Sequence, residues 1–201
     1  MGQYKDAEPP LPPGALAPSM PPKVGTPVAA VAKSGDAIAY AAAKLAGERL
    51  AISCAALFAP TTTFVCLRIG WCQPGDNLPS TLTAEGSPPQ FLNAEDAKGG
   101  GVGGSGSGGG EGTASSVDER WFKSMWLSNR DFLAYFTAAL SVDVPLLWPS
   151  EASGTSAEPH RHLRRGFMLL NAMSRNSGAA WSLDETAAHL KVVSEDDAFG
   201  S

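Results

Sequence analysis

Two side chains in this sequence have the types and spacing for proton transfer. Tyr40 and Lys44 lie four residues apart in DAIAYAAAKLAGERL, residues 36–50. On a helix that spacing stacks them on one face, about one turn apart. A free phenol ionises near pH ~10, too high to exchange protons readily at neutral pH. A neighbouring ammonium favours the phenolate and lowers that value. The pair suits acid–base work on a hydroxyl or carbonyl; the plainer reading is a solvated helix face. The run HRHLRR, His160 to Arg165, invites a metal or phosphate. Two histidines at i, i+2 need two further ligands for zinc, and Cys66 and Cys72 offer no chelating spacing. The run reads as a solvated loop, and no metal is expected.

The elements that must carry these groups follow from pattern. Residues 1–35 are rich in Pro and Ala, and Pro9, Pro10, Pro12, Pro13, Pro18, Pro21 and Pro22 exclude a regular helix. A helix is expected over 36–58, with Asp36 as N-cap and Ile38, Leu45, Ile52 and Ala56 as its buried stripe. Residues 61–70 read as a buried strand with little alternation, as a parallel sheet gives. From 75 to 118 the pattern is lost, and the glycine tract 99–112 reads as a flexible, exposed linker. A second helix is expected over 130–140, with Ser128 and Asp131 at capping-box spacing. Residues 149–165 read as a loop and 167–173 as a strand. Ser182 and Glu185, again at capping spacing, open a helix to about Leu190. Beyond Lys191 the tail is acidic and expected to fray. Trp121, Trp126, Phe132, Tyr135 and Phe136 read as core and substrate-side packing rather than a stacking platform for bases.

Composition narrows the function classes. Among 201 residues, 15 Lys+Arg stand against 20 Asp+Glu, and no basic stripe interleaves with aromatics, which argues against nucleic acid. No apolar run approaches the ~20 residues that span a bilayer. The opening MGQYKDAEPPLPP has neither the apolar core of a secretory signal nor the residue pattern of a myristoylation site. Cys54, Cys66 and Cys72 are odd in number and fit reduced thiols in the cytoplasm.

The order of blocks carries a resemblance. A helix bearing YAAAKLAGERL, a turn at Ala59-Pro60, the strand FVCLRIG and the loop WCQPGDN resemble the second half of an extended short-chain dehydrogenase/reductase of the NAD-dependent epimerase/dehydratase family. Residues 126–140, 167–176 and 181–190 are similar to that family's later substrate-side segments, and MGQYKD to the turn after its catalytic serine strand. The resemblance implies an α/β, incomplete Rossmann-like (doubly wound) fold, the C-terminal half of such an enzyme with long Gly/Pro-rich loops. Its parts would be a Pro/Ala-rich segment 1–35, the tyrosine helix and following strand 36–78, a low-complexity insertion 79–118 and a substrate-side segment 119–201.

The same resemblance implies an NAD(P)-dependent oxidoreductase or epimerase acting on a sugar-like substrate, with NAD or NADP as cofactor. Tyr40 would be the general acid/base and Lys44 would hold the nicotinamide ribose. Pro74 would pass the nicotinamide, while Asn77 and Arg130 would reach the substrate. For Pro74 an ordinary turn, for Arg68 a buried ion pair and for Arg130 a surface ion pair are the plainer readings. The glycine fingerprint of a dinucleotide-binding βαβ unit is missing, since the glycines at 99–110 follow no strand. The family's catalytic Ser/Thr is missing as well. The alternative is a non-catalytic remnant: a half-protein that binds a partner, pairs with a separate N-terminal half, or forms a homodimer.

Overall fold

The computed structural model describes residues 10–20, 35–82, 116–146 and 162–200. The MGQYKD opening, the glycine tract 99–112, His160 and Arg161 lie outside them.

Helix α1 spans Gly35–Phe58, placing Asp36 inside its first turn rather than at its cap. Its core-facing line runs through Leu45, Glu48, Ile52 and the buried Ala55. Ala56, expected in that stripe, is exposed, because one residue beyond Ala55 turns the side chain roughly 100° away from the sheet. The burial of Ile38 lies outside the described residues.

Strand β1, Phe64–Ile69, follows α1 and pairs in parallel with β3, Phe167–Ala172, from Phe64 against Phe167 to Ile69 against Ala172. Between them lie α2, Ser116–Ser124, and α3, Asn129–Ser141. A two-residue strand β2, Leu163–Arg164, pairs antiparallel with β3, giving the order β1-β3-β2. Helix α4, Asp184–Leu190, comes last. The described residues are thus mixed α/β, built on a small three-stranded mixed sheet. Part of the loop expected at 149–165 is therefore strand: Leu163 and Arg164 border β3.

Strand β3 is buried along its whole length because helices cover both of its faces. Met168, Leu170 and Ala172 pack with Leu127 just before α3, Tyr135 of α3, Val144 just after it, and Leu190 of α4. Phe167 and Leu169 point the other way, onto Ala55, Ala51 and Ile52 of α1. Strand β1 divides likewise, Val65 and Leu67 to the first cluster and Phe64 and Cys66 to the second. A third cluster seats Leu16 and Trp181 beside Trp121.

Three further expectations change. The tail beyond Lys191 is held: Glu195 and Asp196 donate backbone N–H bonds to Asp131, and Ala198 donates one to Asn176. The acidic composition that suggested fraying instead supplies carboxylates to Arg130 and to the Ser177 loop. His162 is buried, not solvated, with Nε2 2.5 Å from Glu185 Oε2. Glu185 is therefore turned to His162, and α4 starts without a side-chain cap at Leu183. At α3 the capping reading holds, since Ser128 Oγ accepts the Asp131 N–H at 3.0 Å.

Candidate functional site

Strand β1 and helix α1 run in opposite directions, joined by a short turn. Their relative placement is pinned by one ion pair. Arg68 donates from Nε and Nη2 to the two carboxylate oxygens of Glu48, at 2.8 and 3.0 Å, and from Nη1 to the Pro18 carbonyl at 3.2 Å. Both side chains are largely shielded, so this fork is well defined. Arg68 is near the carboxyl end of β1. Tyr40 lies two helical turns beyond Glu48, about 12 Å further along the axis. The clamp therefore carries Tyr40 and Lys44 past the carboxyl end of the strand, the end at which α/β sheets bind ligands.

Both groups are open to solvent there, Tyr40 at 67%. The Lys44 ammonium sits over the Tyr40 ring, 5.2 Å from its centroid, as a cation–π contact. The ammonium thus faces the ring and not the hydroxyl. Acting on the phenol proton requires the flexible lysine stem to swing toward the oxygen.

The loop after β1 is built to be rigid. At Gly70 a Cβ would lie 2.1 Å from the Met125 carbonyl oxygen, so no side chain fits. That space lets Trp71 donate to Met125 at 2.6 Å and accept from Leu127 at 2.9 Å. Asn77 then closes the loop in a left-handed conformation, φ 52°. Its Oδ1 accepts the Gln73 N–H at 2.9 Å, its Nδ2 donates to Leu127 at 2.7 Å, and Trp126 Nε1 donates to its carbonyl at 2.9 Å. Asn77 is 3% exposed, and its amide is engaged at both ends within the protein. Pro74 and Gly75 form the exposed tip, with Asn129 Nδ2 donating to the Gly75 carbonyl at 2.9 Å.

Beside this loop, at the end of β3, is a buried polar cluster. Ser174 Oγ accepts the Ser128 N–H at 2.9 Å and donates to Asp131 Oδ2 at 2.6 Å. The Asp131 carboxylate, 2% exposed, also accepts the Glu195 and Asp196 N–H groups. Arg130 points outward into Glu195 at 3.0 Å and Asp196 at 2.6 Å, the ion-pair alternative for this residue. Burial pushes the Tyr135 phenol up, with Asp131 adding to the effect and a bond to Ser194 opposing it. Its hydroxyl donates to the Met173 carbonyl, so this tyrosine is structural.

The structure leaves Tyr40, Lys44 and Pro74 exposed, brings Lys44 over the Tyr40 ring, and gives Asn77 and Arg130 internal partners. Sequence reading missed Ser174. Its only signal was a hydroxyl directly after an apolar strand, which many turns share. The three cysteines are free thiols. Burial raises the Cys66 pKa, with Glu48 adding and Arg68 opposing, and burial raises that of Cys72. Among the described residues no helix is long and apolar enough to cross a membrane, and no group of three or more His, Cys, Asp or Glu could hold a metal ion.

No family model, curated protein or solved structure matches the chain.

Proposed function

We propose that this chain is the tyrosine-bearing half of an NAD(P)-dependent oxidoreductase or epimerase acting on a sugar-like substrate. One observation carries the reading: the Glu48–Arg68 clamp, which sets Tyr40 and Lys44 in the open beyond the carboxyl end of β1. Tyr40 moves the proton of a substrate hydroxyl or carbonyl, with the Lys44 ammonium beside its ring. Pro74 stands exposed at the tip of the loop after β1, where the resemblance puts the nicotinamide.

These residues fit the nicotinamide end of a dinucleotide: an exposed ammonium for ribose hydroxyls and a phenol beside it. When bound, that group would supply hydride chemistry. Nothing in this sequence fits its diphosphate, since the glycine fingerprint is missing. The diphosphate cradle is therefore assigned to residues outside this sequence. Substrate contacts are assigned away from Asn77 and Arg130, whose side chains have internal partners.

The test supplies a glycine-fingerprint half by co-expression and measures nicotinamide reduction with a panel of sugars and uronic acids. Turnover with the native chain, and its loss with Tyr40→Phe, is the expected result. Equal turnover of both would reject the assignment. A partner-binding chain without catalysis is the second reading, and the exposed Leu50 and Leu57 on the outward face of α1 favour it as far as binding goes.

A further inference from the structure

Residues 195–199 lie along the surface as a strap, and the groups beneath them meet each one in turn. Asp131 accepts the backbone N–H of Glu195 at 3.1 Å and that of Asp196 at 3.2 Å. Arg130 holds the Asp196 carboxylate from Nε and Nη2, at 3.2 and 2.6 Å, and the Glu195 carboxylate from Nη1 at 3.0 Å. Asp197 accepts from the Ser177 hydroxyl and N–H, and Asn176 Oδ1 accepts the Ala198 N–H at 2.9 Å. The Arg120 guanidinium covers the Phe199 ring, 5.2 Å from its centroid. These partners belong to α2, to α3 and to the loop after β3.

The receiving groups have supports of their own. Ser174 Oγ donates to Asp131, and the Asn176 amide is oriented by donating to the Ser124 and Trp126 carbonyls at 3.0 and 2.8 Å. The strap is held by polar contacts. Val192 packs against the main core, Val193 is 63% exposed, and after them the sequence offers only Ala198 and Phe199 as apolar side chains. The ion pair of Arg130 with Glu195 is open to water, at 58% and 72%, so it adds little to stability. The strap also leaves α4 through Lys191, in the left-handed conformation at φ 58° that disfavours a residue with a Cβ. An empty groove, however, would take two of its hydrogen bonds from the buried Asp131 carboxylate, a costly state. The strap therefore leaves most readily in exchange for another segment that brings the same N–H groups and negative charges.

We propose that this groove is a recognition site for an acidic segment of another protein, and that the chain's own tail is its intramolecular competitor. The tail defines the ligand: three successive acidic residues, one residue held by its backbone alone, then an aromatic ring. Charge complementarity sets the register, with Arg130 at the first two acidic positions and Arg120 at the ring. Tethering gives the tail a local concentration of ~millimolar order, so a partner enters only where its own affinity or local concentration exceeds that. The inference is independent of the reading of Tyr40.

The test uses the full chain and a fluorescent peptide of residues 192–201. In the full-length variant Glu195→Ala, Asp196→Ala, Asp197→Ala the tail no longer competes. Fluorescence polarisation should show this variant binding the peptide at least about tenfold more tightly than the native chain, and more weakly as salt rises. A peptide with the three acidic residues changed to amides should bind neither. Adding Arg130→Glu to the variant should shift its preference to a peptide with lysine at positions 195 and 196, a reversal that misfolding cannot produce. In the native chain, excess unlabelled peptide should speed amide exchange of its own residues 195–199 and leave β3 protected. Equal binding of the peptide by the native chain and the variant, equal binding of the amide peptide, or a natively folded variant that binds no peptide would overturn the proposal. So would a native chain whose mass doubles with concentration through its own tails, which would give the groove to a second copy.

Discussion

The tyrosine end of α1 and the aspartate pocket of α3 hold the two groups of this protein best suited to chemistry, and they are built in opposite ways. Asp131 is sealed from water and accepts three hydrogen bonds. Tyr40 and Lys44 stand in solvent with only a cation–π contact between them. A buried carboxylate surrounded by donors is a structural part, because any motion would leave a charge without compensation. Exposed groups on a helix that is firmly clamped two turns away are free to meet a ligand. Exposure and clamping, more than residue type, separate the candidate site from the scaffold.

The comparison breaks most visibly at Asp131. Asp131→Ala would leave the Ser174 hydroxyl and two backbone N–H groups facing a small cavity, and would release the tail. A loss of about 3 kcal/mol in urea unfolding is expected. An undisturbed midpoint would show that the pocket is not a structural part.

The clamp comes next. Arg68→Ala removes a forked pair and the bond to the Pro18 carbonyl, and leaves Glu48 half-buried without its cation. A loss of about 2 kcal/mol is expected, reduced from the fully buried case because both partners retain some contact with water. The same variant should loosen α1, raising amide exchange around Glu48 more than around Asp131. Equal protection in both regions would separate the clamp from the placement of Tyr40.

A smaller effect is expected at the tail. Burial pushes the Asp197 carboxyl up, but bonds from the Ser177 hydroxyl, the Phe199 N–H and the Ser177 N–H together hold it below its ordinary value. A depressed carboxylate contributes stability that is present above its unfolded pKa and lost as pH falls through the folded one. Acid should therefore release the Ser177–Asp197 clasp, and Asp197→Asn should flatten that response. The change is a fraction of a kcal/mol, since the group is mostly solvated. Amide exchange of Ser177 and Phe199 against pH reads it directly.

Much of the scaffold was legible from local pattern, because it depends on local rules. The 24-residue helix α1, the runs FVCLRI and FMLLNA, and the Ser128 cap all declare themselves within a few residues. What escaped were partners distant in sequence. His162 looked solvated because its neighbours are basic, and it is buried because Glu185 meets it from α4. The tail looked frayed because it is acidic, and it is held because Asp131 and Arg130 lie 60-odd residues earlier. Asn77 read as a free amide because nothing nearby in the chain hinted that its Nδ2 would donate to the Leu127 carbonyl and its Oδ1 accept from Trp126 Nε1. Tyr40 and Lys44 were legible as a spacing; that the clamp two turns away leaves them exposed was not.

The most direct test of the central claim sets Tyr40→Phe beside the native chain in two assays. The substitution removes one exposed hydroxyl, so urea unfolding should shift by less than about 0.5 kcal/mol. In the enzyme completed with a fingerprint half, nicotinamide turnover should fall at least a hundredfold, roughly the loss of one general acid–base group. Turnover within twofold of the native chain would contradict the account, whatever the stability result.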